Sequence, residues 1–179
     1  MEKQPELFDA YDIDGNRLGK DIIRGEKIPN GQYHYIVEIY TINQNNECLV
    51  TLRDSQKIFP LYWEVTAGAV LKGETPRIAA KRELLEETGL FVQDDDFIEL
   101  FKEKFNSCFV FGFVCMVHSE IQPITLQENE TIDYQWISLM KMIDFVNRDD
   151  FVPSSALRFI KYYLSIKKIS DKHRQHSTE

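Results

Sequence analysis

Residues 68–90, GAVLKGETPRIAAKRELLEETGL, constrain this chain more than any other stretch. They predict a helix with marked ends. Thr75 is a natural N-cap and Pro76 suits the first helical position. Gly89 is placed for a left-handed C-terminal cap. Successive helical residues turn by about 100°, so Glu83, Glu86 and Glu87, spaced three and four apart, share an arc of roughly 100°. Ala79 points into the same sector and is too small to cover it. Ile78 with Leu85, and Ala80 with Leu84, give two further directions, expected as apolar flanks for packing. Three like charges on one stripe repel, and no lysine interleaves with them. A solvated face with an Arg82–Glu86 pair explains the stripe. So does a hard divalent cation, because Mg²⁺ favours a few carboxylates together with substrate phosphates. Charge alone leaves both readings open.

Elsewhere the chain mixes strands and helices without strict alternation, which argues an α+β fold. LFDAYDIDGNRLG predicts a hairpin turning at Asp14-Gly15-Asn16. YHYIVEIYTI and CLVTLR read as strands, and WEVTAGAVL as a strand broken at Gly68. Two strands follow the helix, over Phe97–Phe105 and residues 109–118, then TIDYQWISL as another. MKMIDFVNR reads as a short amphipathic helix, and SSALRFIKYYLSIKK as a last helix after Pro153, capped by serine. Residues 1–168 are expected as one domain, with 169–179 a frayed tail.

The 179 residues suffice for one full core, and 43% of them are hydrophobic. A net charge of −8 argues against binding a nucleic acid polymer, which requires a positive field. It leaves room for a small phosphorylated substrate, because a bound cation reverses the local charge. Cys48, Cys108 and Cys115 form no CxxC pair and are expected as reduced, buried thiols. The N-terminus is acidic and polar, unlike a signal peptide. The longest apolar run, FVFGFVCMV, is about half of what a membrane span needs. A soluble, cytoplasmic protein is expected, with no membrane partner.

Spacing settles what charge leaves open. Gly68, five residues, Glu74, seven residues, Arg82-Glu83-Leu84, one residue, Glu86-Glu87, one residue, Gly89-Leu90 is a complete match to the Nudix box. A chance match is on the order of one in 10⁹ per start site. The chain therefore resembles the Nudix hydrolase superfamily. The resemblance implies an α/β/α sandwich around a mixed β-sheet, with Mg²⁺ or Mn²⁺ held beside the box helix. It implies Glu86 and Glu87 as main metal ligands, and Glu83 as a further ligand or general base oriented by Arg82. The backbone carbonyl of Ala67 joins the metal shell, and Glu74 is auxiliary, near the metal shell or salt-bridged, and counted among the substrate-binding residues. The expected reaction is attack of water on a diphosphate that links a nucleoside or similar group to another group. In many members the base lies on a loop outside the box, which here points to Glu130, with Glu128 as its rival. Many relatives dimerise, so a homodimer is part of the expectation.

Beyond the box, the chain resembles the branch that includes isopentenyl-diphosphate isomerases. Arg53 and Lys57 match positions that hold a diphosphate there. The isomerase chemistry needs a cysteine and a histidine where this chain has Ala67 and Ala69. His34 matches another histidine of that metal site but cannot build it alone. A hydrolase is expected, ahead of an isomerase or a non-catalytic binding module. Trp63 is expected near the site. Tyr33, Tyr35, Phe59, Tyr62, Phe109 and Phe111 are pocket-wall candidates, each with plain core as the alternative.

Overall fold

The computed structural model describes residues 5–120 and 122–176. An antiparallel hairpin, β1 (Leu7–Tyr11) and β2 (Arg17–Ile23), opens the fold. Its turn is held by the Asp12 carboxylate, which accepts the Asp14 and Asn16 N–H groups. A seven-stranded mixed sheet follows, centred on β3 (His34–Asn43). One edge of β3 runs parallel to β8 (Cys108–Val117) over its whole length. Its other edge is shared: β6 (Thr66–Ala69) pairs with the first half, and β4 (Glu47–Arg53) meets it at Ile42↔Cys48. β4 diverges from there to pair with β5 (Trp63–Glu64) and β9 (Thr131–Ser138), and β7 (Phe97–Phe105) closes the far edge on β8.

Alternation along β3 builds two cores. Val37 and Ile39 face α1 (Pro76–Thr88), meeting Ala79, Ala80 and Leu84. Tyr40 and Ile42 face α2 (Leu139–Val146) and α3 (Pro153–His176), meeting Met142 and Phe159. The result is the expected sandwich of helix, mixed sheet and helices. At the centre of the second layer, the buried Glu38 carboxylate accepts from the Tyr40 hydroxyl at 2.8 Å, the Ser155 hydroxyl at 3.0 Å and Arg158 Nε at 2.5 Å.

Thr75 caps α1 by accepting the Ile78 N–H, and Gly89 ends it at φ 73°. Four expectations need correction. The strand over residues 63–69 breaks at Val65, not at Gly68, which pairs with Val37 inside β6. Ile78 and Leu85 lie on the exposed side of α1, because Ala79, Ala80 and Leu84 already fill its sheet-facing side. The last helix begins at Pro153 itself, and Ser155 bonds Glu38 instead of capping it. Residues 169–176, expected as tail, continue that helix, since Ser170 is buried and donates to Asn46 Oδ1 at 2.6 Å. Residues 177–179 lie outside the described part. The three cysteines are buried and unpaired, as expected. Among the described residues, no helix is long and apolar enough to cross a membrane.

Candidate active site

The box helix and its approach strand meet at one narrow polar cavity of about 110 Å³. Its walls include Ala67, Gly68 and Ala69 of β6 and Arg82, Glu83, Glu86 and Glu87 of α1. A β-carbon built on Gly68 would stand 2.0 Å from the Glu83 carboxyl carbon. Gly68 is required for this close approach and not for its own backbone conformation.

Arg82 organises the acidic cluster. Its Nε and Nη2 hold Glu74 at 2.8 and 2.9 Å, Nη1 reaches Glu83 at 2.8 Å and Glu86 at 3.2 Å, and Nη2 also donates to the Ala69 carbonyl. The hydrogen bonds to Glu74 lead in raising the Arg82 pKa above its ordinary value. Burial works to raise Glu74, but those bonds and the Leu71 N–H outweigh it and hold the carboxyl low. At Glu83 burial wins and pushes the carboxyl up, with Arg82 pulling it back. Glu74 is therefore behind the pocket, as the anchor of Arg82.

Glu87 is in a different condition. It is 2% exposed, and burial, followed by the charge of Glu64, pushes its carboxyl well above the ordinary value. Lys57 Nζ stands 3.6 Å from Oε1, and Oε2 has no hydrogen-bond partner among the described residues. Lys57 also pairs with Glu130. Burial works against the Lys57 ammonium, but the Glu87 charge and the Glu130 hydrogen bond hold its pKa up.

Three contacts deliver Glu130 to this place. The Thr125 N–H bonds the Thr88 carbonyl, the Thr131 hydroxyl bonds the Glu87 carbonyl, and the Asp54 N–H bonds the Glu130 carbonyl. The loop is thus tied to the end of α1 and to the end of β4. Glu128 is not among the lining residues.

Two further residues of the site expectation do not reach the cavity. Trp63 is 6% exposed in the opposite core, edge-on to Phe145 at 5.7 Å, because β5 turns that side toward α2. Arg53 is held by Glu64 at 2.6 Å and by the Ile58 carbonyl at 2.7 Å. It keeps Glu64 ion-paired behind Glu87. Tyr35, Phe109 and Phe111 gather instead around the Lys102 ammonium, 5.0–5.4 Å from the ring centres. His34 stacks on Phe8 at 5.1 Å under the hairpin, outside the lining.

The structure adds residues that the sequence did not single out. Glu6 and Arg24 stand at the open end of the hairpin, joined at 2.5 Å, and line the cavity. The bond to Glu6 leads in raising the Arg24 pKa, and the charges of Glu130 and Glu83 contribute, so the guanidinium faces the acidic cluster. The hairpin is fixed there by Asp9, which accepts the Gly73 N–H at 2.9 Å, and by Lys72, whose N–H bonds the Leu7 carbonyl. No local pattern in the sequence reports that packing.

The donor set suits a hard divalent cation. Carboxylates of Glu83, Glu86, Glu87 and Glu130 and the β6 backbone line one cavity, and a buried carboxylate oxygen is left without a donor. As they stand, no three acidic, His or Cys side chains among the described residues form a ligating group. Each acidic wall is drawn to a cation of the chain: Glu83 and Glu86 to Arg82, Glu87 and Glu130 to Lys57.

Comparison with known proteins agrees with this architecture. The NUDIX domain family model matches residues 32–159. A Nudix hydrolase of Listeria innocua is 32% identical over 150 residues, covering 83% of this chain and 89% of the relative. The crystal structure of DR0079 from Deinococcus radiodurans shares the fold with a TM-score of 0.73 at 19% identity, covering 88% of this chain and 99% of that one. A Francisella tularensis bifunctional NMN adenylyltransferase/ADP ribose pyrophosphatase, solved with AMP and a Mn ion, matches with a TM-score of 0.60 at 19% identity, over 74% of this chain and 41% of that one. The box, the sandwich and these matches together place the chain in the NUDIX domain family, as a Nudix hydrolase.

Proposed function

We propose that this chain hydrolyses a diphosphate linkage in a small nucleoside diphosphate derivative or related organic diphosphate, with Mg²⁺ or Mn²⁺. The observation that carries the reading is Glu87: a fully buried carboxylate, in a cavity of further carboxylates, with one oxygen unpartnered among the described residues. A stable fold avoids such a group unless something else completes it. Glu83, Glu86, Glu87 and the Ala67 carbonyl would hold the cation. When bound, the cation would neutralise diphosphate oxygens and ease attack by water.

The chain's own residues supply the rest. Lys57 and Arg24 present positive charge to the phosphates from the cavity walls. Arg82 fixes Glu83 through a charge-assisted bond, so that its carboxylate faces the cavity in one orientation. Glu130, on its loop, accepts the proton of the attacking water, a role for which its place in the cavity supports it over Glu128. Ala67 and Ala69 offer neither a proton donor nor an imidazole, which supports hydrolysis over double-bond isomerisation. The ADP ribose pyrophosphatase activity of the bifunctional Francisella protein is consistent with a linked diphosphate as substrate.

The test is a phosphate-release screen over nucleotide sugars, ADP-ribose, dinucleotides and prenyl diphosphates, with Mg²⁺ or Mn²⁺ and added phosphatase. Glu86→Gln serves as control. Turnover that the variant loses while its circular dichroism is unchanged supports the reading. Equal turnover in both proteins moves the site elsewhere.

A further inference from the structure

The cavity has walls for phosphates and none for an organic group. Its lining holds no aromatic ring, and its volume is about 110 Å³. Sites that enclose organic ligands start at roughly 300 Å³. The non-phosphate part of a bound diphosphate must therefore lie outside the cavity. One wall residue, Lys57, belongs to a mostly exposed loop, residues 54–62. Along the chain from Lys57 come Ile58, Phe59, Pro60 and Leu61, of which Ile58, Phe59 and Leu61 are 80%, 43% and 52% exposed. All three lie within about 14 Å of Lys57 along the chain.

The loop holds them there by an uncommon backbone. Phe59 has a φ of 56° and Leu61 a φ of 60°. This left-handed conformation is disfavoured for side chains of their size. Strain of this kind persists where surrounding bonds over-determine it, and it gathers at ligand clamps. Here the bonds are visible. The Ile58 carbonyl accepts from Arg53 Nε at 2.7 Å, the Tyr62 carbonyl accepts the Arg53 N–H at 3.0 Å, and Lys57 is tied to Glu87 and Glu130. Arg53 thus presents the loop, although it does not touch the cavity.

We infer that Ile58, Phe59 and Leu61 form the subsite for the organic group of the substrate, and that this group has an apolar or aromatic face. The inference rests on the reading of the cavity as a diphosphate site. It assigns the loop two ends of one ligand: Lys57 meets the phosphates and the apolar tip meets what they are attached to.

The test measures binding, which does not require turnover. Methylenediphosphonate and its phenylethyl monoester are titrated calorimetrically in Mg²⁺, with wild type and with the triple variant Ile58→Ser, Phe59→Asn, Leu61→Asn. Asparagine keeps the left-handed backbone accessible while removing the apolar group. Mn²⁺ binding, read by electron paramagnetic resonance, checks that the cavity is intact. The phenylethyl group should strengthen wild-type binding about tenfold or more, and the variant should lose that gain while binding the bare diphosphonate as before. No gain in wild type, or a gain kept in the variant, overturns the inference. So does loss of a dimer in the variant by sedimentation with the gain kept, which gives the tip to a second copy. Binding that follows the expected pattern without turnover of the matching diphosphate ester counts against the hydrolase reading alone.

Discussion

Glu38 on β3 and Glu87 on α1 are the same side chain under almost the same burial, 0% and 2% exposed, and burial raises the pKa of both. Their surroundings differ entirely. Glu38 receives Tyr40, Ser155 and Arg158. Glu87 has a lysine at 3.6 Å, an oxygen with no donor among the described residues, and the charges of Glu64 and Glu83 against it. A saturated carboxylate is part of the packing between sheet and α3. An unsaturated one facing a polar cavity is left open to a ligand, which is the role proposed for Glu87. Burial alone would have put the two in one class; the count of donors separates them.

Substitution should break this symmetry in opposite directions. Glu87→Gln should cost about 10³-fold in kcat/KM, equal to about 4 kcal/mol, and abolish Mn²⁺ binding. The metal-free variant should melt no lower than wild type, since a buried charge without full partners has been removed. A drop of several degrees in metal-free Tm would show that Glu87 is structural. Arg158→Leu should do the reverse. It leaves Glu38 buried and unpaired, for a loss of about 3–5 kcal/mol in denaturant unfolding, with kcat/KM close to wild type in the fraction that stays folded. An unchanged unfolding midpoint would mean that Glu38 is already neutral.

Gly68→Ala sharpens the contrast at a smaller scale. The three atoms nearest the new methyl group all belong to the far end of Glu83, a flexible side chain that can swing away. Stability should therefore change by about 1 kcal/mol or less. The swing takes a carboxylate off its Arg82 bond, and kcat/KM should fall about 10²-fold, comparable to losing one aligned catalytic group. A variant that is unstable but fully active when folded would reverse that assignment.

The smallest expected effect concerns His34, whose Nδ1 is another buried atom without a partner among the described residues but lies outside the cavity. Burial lowers its pKa below the ordinary 6.5. The unfolded chain therefore takes up the proton first as pH falls. The stability owed to neutral His34 is complete above about 6.5 and declines as pH drops toward the folded value. His34→Phe should flatten that decline and leave turnover untouched. If the variant and wild type lose stability in parallel on acidification, His34 titrates normally.

What the sequence disclosed follows one physical line. Features that the helix itself fixes, its two ends and its acidic stripe, are legible from spacing along the chain. Thr75 caps, Gly89 terminates, and Glu83, Glu86 and Glu87 share a wall. Residues whose position depends on tertiary packing are not. Trp63 went to the other core because strand alternation past the break at Val65 depends on pairing with β4. Arg53 looked like a phosphate ligand until the fold placed Glu64 opposite it. Ile78 and Leu85 have the period of a packed flank, but the sheet takes the smaller Ala79 and Ala80, which allow α1 to approach closely. Arg24 and Glu6 were invisible because a hairpin must first dock on the box loop through Asp9 and Lys72.

The parallel pairing of β3 with β8 has a kinetic consequence. It joins residues 34–43 to 108–117, and the cavity gathers walls from Glu6 to Glu130. Such distant closures are the slow part of assembly. During refolding, α1 takes shape from local turns early, yet its carboxylates stay in water until the central sheet closes. Affinity for a divalent ion should therefore emerge in the last phase of refolding, after helical signal has recovered, and no short fragment of the chain will carry it.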